Sequence, residues 1–280
     1  MCGIIAVYRD NQSISEGELL DAMHVLGHRG PDGQGHWIND KGTVALGHRR
    51  LAIVDIDNGK QPISNEDNSC QIIVNGAFYG FRKIRRDLEL RGHKFKTDSD
   101  SEIALHLYEE YDLDFVKHLS GEFSIIIWDQ RKERLIAVRD RFGIKPLQYH
   151  YQHGNLHIAS EAKALFSLGI KAEWDHESLT FATKLQYLPA DKTLFKNIYQ
   201  LKPGHMLIKD HNDLKIQKYW DLDYPADGDY IDLPEHEIAE QVFELLDQAV
   251  SNRLDSDRPS AFHLSGGIDS TIILAVHPSH

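Results

Sequence analysis

The chain turns apolar at once. Residues 3–8, Gly-Ile-Ile-Ala-Val-Tyr, form a short β-branched run that reads as a strand over residues 2–9. Chain ends usually fray unless the fold ties them down. A strand starting at residue 2 therefore places Cys2 against the body of the protein, and this requirement organises everything that follows.

The next 170 residues alternate short strands with occasional helices. Leu19, Leu20, Met23 and Leu26 give helical spacing over 16–27. A glycine-rich loop follows at 28–35. Val44–Leu46 and Ala52–Val54 read as strands around a basic turn, Gly47-His48-Arg49-Arg50. Cys70–Asn75 reads as a strand ending in Asn75-Gly76. Helices are expected at Ile84–Arg91, with Gly92 just past the end, at Ser99–Tyr111, and at Glu161–Leu168. Further strands are expected at Phe123–Trp128, Leu135–Arg139, Leu147–Tyr151 and Leu156–Ala159. Leu201–His205 reads as a turn between short strands. This order suits stacked antiparallel sheets covered by helices better than a βαβ repeat. Three regions result: a domain over 2–209, a connector over 210–234 rich in Asp, Tyr, Pro and Gly, and a third region over 235–280. In the last, Ile238, Val242, Leu245, Leu246 and Ala249 stripe a helix over 235–254. Ser260–Leu264 reads as a strand, and Ser265-Gly266-Gly267-Ile268-Asp269-Ser270 as a loop opening a helix.

Composition narrows the function. A net charge of −12 disfavours a nucleic-acid surface. No stretch has the apolar length of a membrane span, and the start lacks a basic signal-peptide region, so a cytoplasmic location is expected. Two cysteines do not make a secreted framework. No CxxC, HExxH or DxDxDG pattern occurs among the 17 histidines, so no metal site is expected.

Cys2 carries the sharpest chemical suggestion. Removal of Met1, which a small second residue permits, would give one residue both a thiol and an α-amine. Such an amine titrates near pH 8 and can take the thiol proton. A chance cysteine near a terminus is the plainer reading. Cys70, in an apolar strand, reads as a buried small hydrophobe. Acyl transfer also needs oxyanion donors, which Asn75 and Gly76 could supply, although Asn-Gly is also the commonest hairpin turn. Arg50 could grip a carboxylate or make a surface salt bridge. Asp100 could hold an ammonium or cap a helix. The Ser265–Ser270 loop could bind pyrophosphate at a helix N-terminus or be an ordinary glycine turn.

Taken together, the motifs resemble the glutamine-hydrolysing asparagine synthetase family of class II amidotransferases. They run in family order: MCGI at the start, HRGPDG at 28–33, GHRRLAIVD at 47–55 and NG at 75–76. SDSE at 99–102, LSGEF at 119–123, RDRFGIKPL at 139–147, ASEAKAL at 159–165 and SGGIDS at 265–270 complete the series. The resemblance implies an α+β fold of four αββα layers, the N-terminal nucleophile hydrolase fold. An incomplete Rossmann-like ATP-pyrophosphatase domain would follow. It also implies Cys2 as nucleophile and base, Asn75 and Gly76 as the oxyanion hole, and Arg50 and Asp100 on the glutamine α-carboxylate and α-amine. No cofactor is implied for glutamine hydrolysis. ATP and Mg²⁺ would serve the complete synthetase, with Leu264, Ser265, Gly266, Gly267, Asp269 and Ser270 at the nucleotide. Ammonia would then amidate aspartate or another carboxylate. A homodimer or a separate synthetase subunit would be the protein partner.

Three departures from the family stand out. Ala77 replaces a glutamate that the family places beside glutamine, and Gly80 replaces an asparagine. The sequence also stops soon after the SGGIDS loop, so most of the synthetase sheet would lie beyond residue 280. Residues past about 235 are therefore expected to pack opportunistically, join a partner or move freely, and Pro278 opposes a long final helix. Two other classes compete with a glutaminase: a non-catalytic subunit that binds a synthetase, and an N-terminal-cysteine hydrolase of another amide.

Overall fold

β1 (Gly3–Tyr8) is a central strand, flanked by β3 (Val44–Arg50) and β9 (Asn155–Ala159). Its register pairs Gly3 with Arg49 and Ile5 with both Gly47 and Ala159. The computed structural model describes residues 1–210 and 213–276. β2 (Gly33–Ile38), β8 (Gln148–Gln152) and β10 (Tyr199–Gln200) complete a six-stranded antiparallel sheet, in the order β10-β8-β9-β1-β3-β2. A second antiparallel sheet runs β12-β11-β7-β6-β5-β4. Its strands are β4 (Ile63–Ser64), β5 (Cys70–Phe78), β6 (Gly121–Asp129), β7 (Arg134–Arg139), β11 (His205–Asp210) and β12 (Asp213–Lys218).

Strand alternation sorts the side chains into layers. Ile4, Ala6, Val44 and Leu46 of the first sheet meet Ile73, Ile126, Ala137 and Leu207 of the second. From the outer face of the first sheet, Ile5, Val7 and Ala45 pack against α1 (Glu16–His24) and α4 (Ala162–Ser167). From the outer face of the second, Ile72, Val74, Ile125 and Ile127 pack against α2 (Phe81–Leu90) and α3 (Glu102–Tyr111). The result is the four-layer αββα arrangement. α1 starts where it does because the Ser15 side chain accepts the Glu18 N–H, with Glu16 and Glu18 in the first turn. α2 opens at Gly80, whose φ of +65° suits glycine.

Several expectations need correction. The basic segment 47–50 is the end of β3, not a turn, and residues 52–54 are not a strand. Gly33–Gly35, expected in a loop, belong to β2. Asn75-Gly76 lies inside β5, where the ladder to β6 continues to Phe78↔Gly121. Residues 213–218, expected within the connector, pair with β11 along its whole length. A further helix, α5 (His176–Leu185), is capped by Asp175, whose side chain accepts the Ser178 N–H; it was not anticipated.

The chain divides into two compact units, Met1–Asp221 and a second that begins at Leu222. In the second, α6 (Glu235–Ser251) and α7 (Ile268–Val276) are the regular elements among the described residues. Ser260–Leu264 is not a strand. A strand needs a ladder partner, and none of the described residues of this unit supplies one. The apolar residues of α6 and α7 stay largely open, with Leu245 65% and Ile268 74% exposed. Pro278 lies outside the described residues. Among the described residues, no helix is long and apolar enough to cross a membrane.

Candidate active site

Cys2 sits just before β1, half-buried against the residue that follows β3. The Leu51 N–H donates to its Sγ at 3.4 Å, and the thiol faces the Leu51 carbonyl at 3.7 Å. Arg29 holds the Cys2 carbonyl through Nε at 2.9 Å, and its Nη1 donates to Glu161 at 2.7 Å. The HRGPDG and ASEAKAL segments thereby anchor the chain start. Asp32 closes the same corner by accepting the Ala52 N–H at 2.9 Å. Burial pushes the Cys2 thiol up; Arg50 opposes this and Asp100 adds to it, so both groups lie within electrostatic reach of the sulfur. The α-amine here belongs to Met1. Partial burial pulls its pKa down, opposed by Cys2.

Asn75 is reached through a chain of contacts. Arg49 pairs with Gly3, and the adjacent His48 places Nε2 3.0 Å from the Val74 carbonyl across the sheet interface. Burial pushes His48 down to about 4, so it is a neutral linker. Gln61 steadies the same strand: its Oε1 accepts the Val74 N–H at 2.6 Å and its Nε2 reaches Ser101 Oγ at 3.2 Å. Asn75 follows, 1% exposed, with its amide Nδ2 buried and without a hydrogen-bond partner. An orphaned buried donor costs about 1–3 kcal/mol; seven other buried side-chain atoms among the described residues are also unpartnered, and the Asn75 amide differs from them in lying next to Gly76 on β5. Gly76 is glycine for want of space: a Cβ there would lie 2.4 Å from the Glu122 carbonyl oxygen.

Asp100 is buried just before α3, and its Oδ2 accepts the Phe78 N–H at 2.8 Å. Burial raises its carboxyl to about 6. Arg50 is less free than expected. Nη1 donates to the Ile56 carbonyl at 2.8 Å, and Nη2 to the carbonyls of Val54 and Asp55. It holds the 54–56 loop in place, and a ligand carboxylate would have to compete with these carbonyls. Ala77 stands opposite Glu122 in the β5–β6 register. That carboxylate is already engaged, with Lys145 Nζ at 3.1 Å and the Tyr79 hydroxyl at 3.3 Å.

Cys2, Arg50 and Asp100 thus share one electrostatic neighbourhood, and Asn75 joins it through β3 and β5. Sequence reasoning missed Arg29, His48 and Gln61, which hold these groups. Arg29 and His48 stand in the quoted motifs, but nothing in their spacing shows what they touch. The RDRFGIKPL segment proves to be structural: Asp140 accepts the N–H groups of Phe123, Phe142, Ile144 and Lys145 and fixes the turn after β7.

In the second unit, the Ser265–Ser270 loop precedes α7, with Gly266 at φ +82° and open space around it. Its own hydroxyls occupy it: Ser270 Oγ accepts the Ser265 N–H at 3.3 Å, and Ser265 Oγ accepts that of Gly267 at 3.3 Å. Leu264 is 59% exposed, with no strand behind it.

The glutamine amidotransferase domain model matches residues 1–220, and the asparagine synthase model matches 241–280. The chain is 40% identical over 259 residues to the amidase chry2 of Gibberella zeae, covering 91% of this chain and 38% of that protein. It is 34% identical over 288 residues to asparagine synthetase [glutamine-hydrolyzing] 1 of Bacillus subtilis, covering 100% of this chain and 45% of that one. It therefore spans less than half the length of these relatives. The glutamine phosphoribosylpyrophosphate amidotransferase structure from Bacillus subtilis superposes with a TM-score of 0.59 at 20% identity, covering 78% of this chain and 49% of the other. That likeness establishes the fold. By the model that matches most of its length and the fold that agrees with it, this chain belongs to the glutamine amidotransferase domain family.

Proposed function

We propose that the first unit hydrolyses the side-chain amide of glutamine, with Cys2 as nucleophile. The observation that carries this reading is the buried, unpartnered Asn75 amide on the strand that faces the Cys2 corner. Met1 removal moves the α-amine to Cys2. The amine takes the thiol proton, and the thiolate attacks the amide carbon. The oxygen gains charge and is held by Asn75 Nδ2 and the Gly76 N–H. The ammonium returns a proton to the leaving nitrogen, and ammonia departs. Water then cleaves the γ-glutamyl thioester to glutamate and the free thiol. Asp100 receives the substrate α-ammonium, and Arg50 its α-carboxylate by exchange with a loop carbonyl.

Ammonia so formed serves a synthetase half in the cytoplasm that amidates aspartate or another carboxylate. The loop before α7 has what a pyrophosphate needs: a nine-residue helix start and an uncrowded glycine at 266. Leu264, Ser265, Gly266, Gly267 and Ser270 would hold ATP there, with Asp269 the carboxylate nearest Mg²⁺. When bound, ATP supplies activation of the acceptor carboxylate. Rotation of Ser270 Oγ away from the Ser265 N–H is the change this chain itself must make. The remaining synthetase residues come from further chain, a second copy or a separate subunit.

Ala77 supports a second reading, in which this protein binds a synthetase without hydrolysing glutamine. Glutamate release from glutamine, compared with Cys2→Ala, separates the two. We expect the variant to lose at least about 10⁴-fold in kcat. Equal release by both proteins sinks the glutaminase reading. Intact mass checks the base, since a retained Met1 leaves Cys2 with no α-amine.

A further inference from the structure

On the outer face of the second sheet, four side chains from three segments converge. Glu66 stands in the turn between β4 and β5, and His93 follows α2. His106 and Glu109 lie three residues apart on one face of α3. The two imidazoles meet through Nδ1, 3.1 Å apart. Glu109 Oε2 lies 3.0 Å from His106 Nδ1 and 3.7 Å from His93 Nδ1. Glu66 places one oxygen 4.0 Å from His93 Nδ1 and the other 3.9 Å from His106 Nδ1. Ligands about 2.0–2.1 Å from a tetrahedral zinc ion are separated by about 3.3–3.4 Å. The observed separations bracket that spacing.

The outer nitrogens supply the independent argument. His93 Nε2 is 3.0 Å from Glu110 Oε1, whereas His106 Nε2, 3.5 Å from Glu102 Oε1, is buried without a hydrogen-bond partner. Carboxylates only accept, so His93 carries its proton on Nε2 and turns a lone pair inward from Nδ1. That lone pair faces His106 Nδ1 across 3.1 Å, Glu109 Oε2 lies 3.0 Å from the same Nδ1, and the His106 ring is wholly buried. Positive charge between the rings, either a metal ion or a proton on His106, makes that arrangement favourable; although burial opposes it, Glu102 and Glu109 push His106 up to about 9. A shared proton also relieves the repulsion, and Glu66 then keeps only the Lys94 N–H on Oε1, with Oε2 left 3.9 Å from His106 Nδ1. It also leaves four carboxylates around two rings, with Arg91 at 3.3 Å from Glu110 and Arg131 at 3.8 Å from Glu109 as partial compensation. Outer carboxylates of this kind orient metal-bound histidines, and bound carboxylates are themselves held. Here Asn65 Nδ2 donates to Glu109 Oε1 at 2.7 Å, and the Lys94 N–H to Glu66 Oε1 at 2.8 Å.

We propose that Glu66, His93, His106 and Glu109 bind one divalent transition-metal ion, with Zn(II) best matched by two imidazoles and two carboxylates. The site is closed, so its role is structural. It fastens the β4–β5 turn and the α2–α3 connector to α3, and that connector carries Asp100. The proposal does not depend on the glutaminase reading.

The test uses the whole chain, carrying Cys2→Ala so that the thiol does not compete, stripped with chelator and titrated with Zn(II) against a chromophoric chelator. One tight equivalent is expected, with a rise in Tm on Zn(II) addition. Co(II) in its place should give the intense visible bands of a four-coordinate ion. Glu66→Gln lies at a solvent-exposed turn and should leave the metal-free Tm unchanged while weakening Zn(II) binding about 10–100-fold. His93→Gln should do the same. Failure to compete for one equivalent, or an affinity unchanged in both variants, overturns the site and leaves the shared proton as the occupant.

Discussion

Two glycine-bearing segments of this chain invite the same description and behave in opposite ways. Asn75-Gly76 lies within a nine-residue strand between two covered sheet faces, and its polar amide is buried with nothing to bond. Ser265–Ser270 lies at an exposed helix start, and two of its N–H groups, those of Ser265 and Gly267, are bonded to its own serine hydroxyls. In the reading proposed above, the first awaits an acceptor that the substrate brings. The second is at ease without a ligand. A preorganised donor belongs to chemistry and a self-satisfied loop to reversible binding, so the two should respond very differently to substitution.

The largest effect is expected where the donor is removed. Asn75→Ala should lower kcat for glutamine hydrolysis by about 10²–10³ with little change in KM. Because an unsatisfied group is deleted, it should not lower Tm. A loss of stability with unchanged kcat would show that Asn75 is only a packed side chain. Gly76→Ala comes next, and there the readout is folding. Its Cβ would stand 2.4 Å from a backbone oxygen of β6, so urea denaturation should show a loss of about 1–3 kcal/mol. An unchanged midpoint would mean that β5 and β6 can part locally.

The pH dependence sharpens the same contrast. Burial raises Asp100 to about 6 from an ordinary value near 3.8. For a raised acid, the folded state binds the extra proton, so its stabilising contribution is complete below about 4 and is lost as pH rises through about 6. Substrate binding needs the opposite form. The α-amine base already lowers kcat/KM for glutamine as pH falls below its own pKa, so Asp100 should add a further tenfold per pH unit below about 6, and Asp100→Asn should remove that added slope. A limb unchanged in Asp100→Asn would assign it to another group. Smallest of all, Ser270→Ala should change stability by no more than about 0.5 kcal/mol and leave glutaminase activity untouched. A larger loss would mean that the loop is built into the fold more firmly than its exposure indicates.

Much of this was legible in the sequence, and the failures share a physical origin. β1, β6, β7 and β9 declared themselves because both faces are covered, which gives continuous apolar runs. Gly47-His48-Arg49-Arg50 looked like a turn because polar residues at a buried sheet junction break the run. His48 is polar there because it bonds across to Val74. Asn75-Gly76 carries the local signature of a hairpin, yet the register with β6 carries the strand through it. Tertiary pairing overrides local turn preference here. The 260–264 strand failed the other way: its residues suit a sheet, and no sheet is present among the described residues of that unit. The Glu66–Glu109 cluster was invisible because its members are 27, 13 and 3 residues apart, and no local spacing announces them.

The place of β1 also sets a clock. Its partners arrive late, with Arg49 opposite Gly3 and Ala159 opposite Ile5. At about 5–20 residues per second, the ribosome needs roughly 10–30 s to deliver both neighbours. Through that interval the nascent amino terminus is unpaired and open to an aminopeptidase. Once β9 docks, β1 is an interior strand, yet Met1 ahead of it stays 52% exposed. Removal of Met1 can therefore follow folding as well as precede it, and the speed of synthesis governs when Cys2 is seated rather than whether its amine is freed.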